Sequence, residues 1–271
     1  MTGVPHLNGL SLDLLEVAIG AGVGFLIGLT GLGSGSLLTP LLILGGGFSP
    51  ATAVGTSLVF SCLTKFGGSI QFMRRGLVRY EIVRDLAFGG LPGVLAGVLV
   101  VHNLGLQHPA SMDSFLLRSI GWALILVSLI LLLRLFPDRL RPDILDREFA
   151  LHPGLQRGLI ITSGFVVGGM VSVTSIGAGA ALMPVMVLCY RAELGTLVGS
   201  NLFASTFIAA VAALPHARFG NVSWPAVGFL LAGSLPAMWL ASHMHGRVPR
   251  HIPEGLLAVL LLGMGIRIIV L

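Results

Sequence analysis

The sequence predicts an all-α protein, a polytopic bundle of transmembrane helices built from two tandem repeats with about eight apolar segments. Three observations predict it. Only 10% of the 271 residues are charged while 55% are hydrophobic, and the mean hydropathy is +0.95. Long apolar runs recur along the chain with polar loops between them. The chain also repeats itself at an offset of 144 residues, with Gly20, Gly24, Thr30, Gly33, Gly35, Leu38 and Pro40 matching Gly164, Gly168, Thr174, Gly177, Gly179, Leu182 and Pro184.

The composition excludes several classes. A soluble domain carries about 25% charged residues, so a cytosolic globular enzyme, a disordered tail and a disulfide scaffold are all excluded. A β-barrel would show alternating segments of about 10 residues rather than unbroken apolar runs. The net charge of +5 does not point to nucleic acid, because the arginines cluster in short loops as the positive-inside rule expects. Cys62 and Cys189 lie in apolar segments without metal-ligand spacing and read as small core residues. Met1 to Leu10 has no basic residue and the first apolar run is too long for a signal-peptide core, so no cleaved leader is expected.

A hydrocarbon core of about 30 Å needs roughly 20 apolar residues per helix. Such runs occur at 12–45, 51–72, 82–101, 116–135, 158–189, 194–214, 225–242 and 254–271. The first and fifth are too long for one straight span, and each has a glycine-rich interruption. Residues 1–136 form the first repeat, 137–157 an inter-repeat cytoplasmic loop, and 158–271 the second repeat. Counting each broken run as one crossing puts Arg74, Arg75, Arg79, Arg84, Arg134, Arg139, Arg141, Arg147, Arg157, Arg218 and Arg267 on the cytoplasmic side. Arg118, Arg191, Arg247 and Arg250 fall on the other. If the broken runs are instead re-entrant, the count shifts by one per repeat and the halves become inverted.

The breaks carry the chemistry. One reads Gly31-Leu-Gly-Ser-Gly-Ser36 and leads to Pro40; the other reads Ser175-Ile-Gly-Ala-Gly179 and leads to Pro184. Glycine weakens a helix by about 1 kcal/mol per residue relative to alanine. A helix restarting near Ser34 or Ala178 would present free backbone N–H groups and a partial positive charge. Two such ends meeting at the bilayer midplane would hold an anion without basic side chains, and repeated halves with matching interruptions are the signature of secondary transporters. Gly33, Ser34, Gly35, Ser36, Gly177, Ala178 and Gly179 are therefore candidate binding residues. The stripes Gly20-Gly24-Gly28 and Gly89-Gly93-Gly97 read as close helix packing. Pro40, Pro92, Pro184 and Pro236 read as hinges or kinks.

A second element repeats as Val54-Gly-Thr-Ser57 and Val198-Gly-Ser-Asn201. Its polar groups Thr56, Ser57, Ser200 and Asn201 are candidate ligands, although a membrane Ser or Thr also commonly bonds its own helix. Lys65 is the single lysine and lies in an apolar run, where it is either a functional charge or an anchor that snorkels toward the interface. A third repeated element is Gly76-x-Val78-x-Tyr80 and Gly220-x-Val222-x-Trp224.

Taken together, these motifs resemble the TauE/SafE family of membrane transporters, also called the sulfonate-uptake permease family. The glycine-rich stretch stands as Gly24 to Pro40 and again as Gly168 to Pro184, and the A-V-G-T-S-L element stands as Ala53 to Leu58 and again as Leu197 to Leu202. This sequence departs from the family pattern at Ser36 and Ala180, where glycine is usual, and at Ser200-Asn201 in place of Thr-Ser. The resemblance implies a secondary transporter of the bacterial inner membrane exporting sulfite, sulfoacetate or another organosulfonate. Passive anion channel and importer are the alternative readings. A sulfonate offers three acceptor oxygens and one charge, which suits N–H and hydroxyl donors. The partners expected are a small anion and the lipid bilayer, with no nucleic acid; a homodimer is compatible with the sequence. No cofactor, metal or enzymatic activity is expected, because there is no H-E-x-x-H, no G-x-S-x-G and no buried carboxylate pair.

Overall fold

A computed structural model describes residues 9–30, 35–107, 109–135, 153–190, 192–244 and 251–271. The described residues are mostly helical, with short turns between the helices and without strands. Among the described residues the eight apolar runs become ten helices because the two glycine-rich runs each split. The first run is α1 (Gly9–Thr30) and α2 (Gly35–Leu44). Next come α3 (Pro50–Arg74), α4 (Tyr80–Gln107) and α5 (Pro109–Leu135). The fifth run is α6 (Pro153–Thr174) and α7 (Ala178–Cys189), followed by α8 (Leu194–Arg218), α9 (Trp224–Met244) and α10 (His251–Val270). Helix α6 thus starts inside the stretch read as the inter-repeat loop. The rest of that loop, 137–152, lies outside the described residues, as do Gly33 and Ser34.

Six helices, α4, α5, α6, α8, α9 and α10, are long and apolar enough to cross a membrane. Helix α3 is also long, with 25 residues, but its inner face is polar: Ser57, Ser61, Thr64, Lys65 and Ser69 are all buried. The outside is the reverse, with Trp122, Val166, Trp239 and Val259 more than 60% exposed. Apolar outside and partly polar within is the pattern of a helical membrane bundle. Helices α2 and α7 have 10 and 12 residues. At 1.5 Å per residue they span only about half of the hydrocarbon core.

The glycine stripes are where the backbones touch. Space for a Cβ at Gly20, Gly24 and Gly28 of α1 is taken by Leu230, Ser234 and Met238 with Ala241 of α9. At Gly89, Gly93 and Gly97 of α4 it is taken by Ile161, Phe165 and Gly169 with Ser172 of α6. Both pairs run parallel, since the contacts advance together along the two chains. Without a hydrophobic driving force between helices in lipid, such close approach supplies the attraction.

Helices that correspond at the 144-residue offset run antiparallel. Gly68 of α3 meets Leu202 near the start of α8, and Gly199 meets Leu77 just past the end of α3. Gly121 midway along α5 meets Ile269 at the end of α10, while Ser128 Oγ, further along α5, donates to the Ala258 carbonyl at 2.8 Å. Helix α2 folds back along α1, with Gly45 beside Ile19 halfway down it. This packing corrects the charge grouping made by simple counting. Arg74 ends α3 and Arg218 ends α8, so antiparallel packing puts them at opposite ends of the bundle. Arg157, which begins α6, joins Arg84 at one end, whereas Arg118 and Arg267 share the other. The counting failed because it gave each broken run a full crossing.

Candidate substrate site

The break in the second half is the best described part of the centre. Helix α6 stops at Thr174, whose hydroxyl donates to the Met170 carbonyl at 2.7 Å and accepts the Ile176 N–H at 3.1 Å. Ser175 then takes a left-handed conformation with φ of 61° while buried. A non-glycine residue held there costs of order 1–3 kcal/mol and persists only where its surroundings demand it. The matching position in the first half is Gly31, outside the described residues. Gly177 follows with φ of 112°, a value that favours glycine, and caps the start of α7.

The first half reaches this break twice. Gly35, the first residue of α2, lies against the Ser175 carbonyl so closely that a Cβ would overlap it. Ser175 Oγ donates to Ser57 Oγ of α3 at 3.1 Å, and both residues are buried. From α8, Asn201 Nδ2 donates to the Gly179 carbonyl in the first turn of α7 at 3.3 Å. Asn201 Oδ1 is buried without a hydrogen-bond partner. Gly35, Ser57, Gly177, Gly179 and Asn201 are therefore linked through Ser175 and the start of α7. The backbone at Ala178 begins α7, and Ser36 belongs to the first turn of α2.

Two positive helix ends thus come together, and neither first turn holds an acidic residue. Such N-termini attract anions through orphan N–H groups and the helix dipole.

The other candidates lie elsewhere. Thr56 Oγ1 accepts the Ser223 N–H at 3.0 Å, and Ser200 Oγ accepts the Arg79 N–H at 2.9 Å. Ser223 and Arg79 belong to the third repeated motif, just before α9 and α4. That motif's glycines, Gly76 and Gly220, have φ of 69° and 75° and end α3 and α8. Leu77 and Asn221 N–H groups then close the turns onto the Phe72 and His216 carbonyls, a helix-stop arrangement that glycine favours. The motif glycines Gly55 and Gly199 in turn admit the Asn221 and Leu77 carbonyls. The second and third motifs are therefore two sides of one joint between the halves.

Lys65 is buried on the inner face of α3, eight residues from Ser57 and so about 12 Å further along the helix axis. Pro40 is buried within α2 and Pro184 is half-buried within α7, while Pro92 and Pro236 are exposed on the outer faces of α4 and α9.

The sequence reading passed over Ser175 and Asp85. Ser175 stood in the quoted motif and was signalled by the glycine at its matching position. Asp85 lies near the start of α4, yet its side chain is only 7% exposed. Its Oδ1 accepts from Arg84 Nε at 3.2 Å and Arg157 Nε at 3.1 Å, and its Oδ2 accepts from Tyr190 OH at 3.1 Å. Burial first, and then the Asp85 carboxylate, push the Tyr190 hydroxyl above its ordinary range, which keeps it a donor. This cluster ties α4 and α6 to the far end of the half-helix α7.

Comparison with known proteins agrees with this architecture. The family described as Sulfite exporter TauE/SafE matches residues 16–268. A probable membrane transporter protein of Bacillus subtilis (strain 168), YjnA, is 32% identical over 255 residues, covering 93% of this chain and 98% of its own. A probable membrane transporter protein of Xylella fastidiosa (strain Temecula1) is 27% identical over 230 residues, covering 83% of this chain and 82% of its own. A second Bacillus subtilis protein, the probable membrane transporter YunE, is 24% identical over 255 residues, or 88% of each chain. No solved structure matches.

Proposed function

Because the chain belongs to the TauE/SafE sulfite exporter family, we propose that this integral membrane transporter moves sulfite or a small organosulfonate such as sulfoacetate out of the bacterial cytoplasm, across the inner membrane, by alternating access. The observation that carries this reading is the contact of the two helix breaks through Gly35 and Ser175. The starts of α2 and α7 supply positive dipole ends, and Ser57, Ser175 and Asn201 supply short polar side chains around them. Asn201 Oδ1 is an unpaired acceptor, so it suits a ligand that carries a hydrogen as well as a charge. Hydrogensulfite fits that description better than a bare dianion.

Each group has a role. Backbone N–H groups at the breaks neutralise the anion, the Ser57 and Ser175 hydroxyls orient its oxygens, and Lys65 attracts it along α3. Half-helices that do not cross the membrane are the elements that shift as the site changes its exposure. Liposomes containing the purified protein and loaded with labelled sulfite or sulfoacetate should release the label faster than protein-free liposomes. They should also show counterflow, which a passive channel does not. Retention of both anions at the protein-free rate would overturn the substrate assignment.

A further inference from the structure

Among the described residues the bundle buries one imidazole, and the anion site does not use it. His216 of α8 is 3% exposed. Its Nε2 lies 3.1 Å from the Ser172 carbonyl of α6, an acceptor to which Nε2 can only donate. That carbonyl belongs to the last turn before the break. The amide four residues on, Ile176, bonds the Thr174 hydroxyl instead, so His216 donates to a carbonyl that the interrupted helix leaves open. With its proton on Nε2, the ring has a bare acceptor at Nδ1, and that atom is buried without a partner. A buried acceptor with no partner costs about 1–3 kcal/mol, and natural proteins seldom keep one without use. Phe72 stands at the matching position of the first half, so the ring is not a shared packing device.

We propose that His216 is the proton carrier of the transport cycle. In the conformation seen here an Nδ1–H would find no acceptor, so the ring is neutral. When the breaks part and water enters, Nδ1 takes a proton from hydronium, leaving water. The imidazolium then lies at the negative C-terminal end of α6 and offsets the charge of the anion. Reopening on the other side returns the proton to water and the ring to its neutral form. Proton and anion thus move together, and no carboxylate relay is needed.

The titratable groups of the surrounding helices leave this role to His216. On α3 they are Cys62, Lys65 and Arg74, all further toward the opposite end from Gly55, against which the His216 Cβ packs. On α4 they are Tyr80, Glu81, Arg84 and Asp85 at that same opposite end, and His102, whose ring stacks on Phe219 with centroids 4.8 Å apart. On α6 there is Arg157, bound to Asp85; on α7 Cys189; and on α8 itself Arg218 in the last turn. His102 is the closest rival and is more exposed than His216.

The test uses H216Q, in which the Gln amide can still donate to the Ser172 carbonyl but cannot titrate. Liposomes carrying an entrapped pH dye and methanesulfonate, an anion that does not itself titrate, report proton and anion movement together. Wild type should move protons in step with net methanesulfonate efflux, whereas H216Q should lose net efflux at least tenfold more than homo-exchange. Anion efflux without proton movement in wild type, or unchanged coupling in H216Q, would overturn the proposal. The proposal assumes the anion reading, so a measurement without substrate stands beside it. Nitrogen-15 NMR of histidine-labelled protein, with H216Q for assignment, should show this ring titrating between about pH 5 and 8. A ring that stays neutral across that range overturns the proposal even if no sulfur anion is transported, and a titrating ring upholds it while the substrate reading alone falls.

Discussion

Thr56 and Ser200 stand 144 residues apart and do one job, while their neighbours Ser57 and Asn201 stand at the same offset and do two. Each hydroxyl of the first pair accepts a backbone N–H from the loop before a helix of the other half. In the second pair, Ser57 reaches across to the break at Ser175, whereas Asn201 bonds Gly179 within its own half and leaves Oδ1 unpaired. The joint between the halves is symmetric, and the centre is not. A symmetric joint lets either half pivot on the other in the same manner. An asymmetric centre presents different groups from its two halves: a hydroxyl bonded across to the break from one, and an amide with a free acceptor from the other.

The largest effects should come from breaking the joint. In Gly55→Ala and Gly199→Ala the new methyl group would overlap the Asn221 or Leu77 carbonyl, each a backbone atom that cannot swing aside. Overpacking of this kind costs about 1–3 kcal/mol or more. Both variants should lose thermal stability and yield of monodisperse protein to a similar degree. A large loss in one and none in the other would show that the joint is less symmetric than its contacts.

The centre can be tested for its asymmetry with Asn201→Asp and Ser57→Ala. The carboxylate of Asn201→Asp would face the two positive helix ends and compete there with the transported anion. Efflux should fall by at least tenfold, with folded yield maintained. Ser57→Ala removes one hydroxyl from the Ser175 bond, and its efflux should fall by only a few-fold. Equal losses in the two variants would mean that charge at the centre does not matter, contrary to the anion reading.

The positions of the breaks, the packing stripes and the apolar runs were legible in the sequence because each depends on local composition. Glycine and proline mark where a helix cannot continue, wherever the rest of the chain goes. The role of Thr56 was not legible, because its partner is a main-chain N–H 167 residues away, and such a group leaves no trace in residue identity. Asp85 is similar. Its partners Arg157 and Tyr190 lie 72 and 105 residues away, and only the packing of α4 on α6 makes its burial tolerable. Orientation failed for another reason. Counting arginines presupposes the number of crossings, and the half-helix α2, which turns back beside Ile19, is not distinguishable by composition from the second half of a full span.

The smallest effects should come from the hydroxyls of the joint. Thr56→Val and Ser200→Ala each remove one acceptor from a partly buried N–H, and a hydrogen bond of that kind contributes about 0.5–1.5 kcal/mol. Each variant should therefore melt a few degrees lower, and the two shifts should be nearly equal. Combined, they should add, because the two bonds share no residue. Their apparent affinity for the proposed anion should match that of wild type, since each hydroxyl bonds a loop N–H away from the breaks. A change in affinity in either one would move that residue from the joint into the site. The boundary between scaffold and centre would then fall between positions 55 and 56 rather than between 56 and 57.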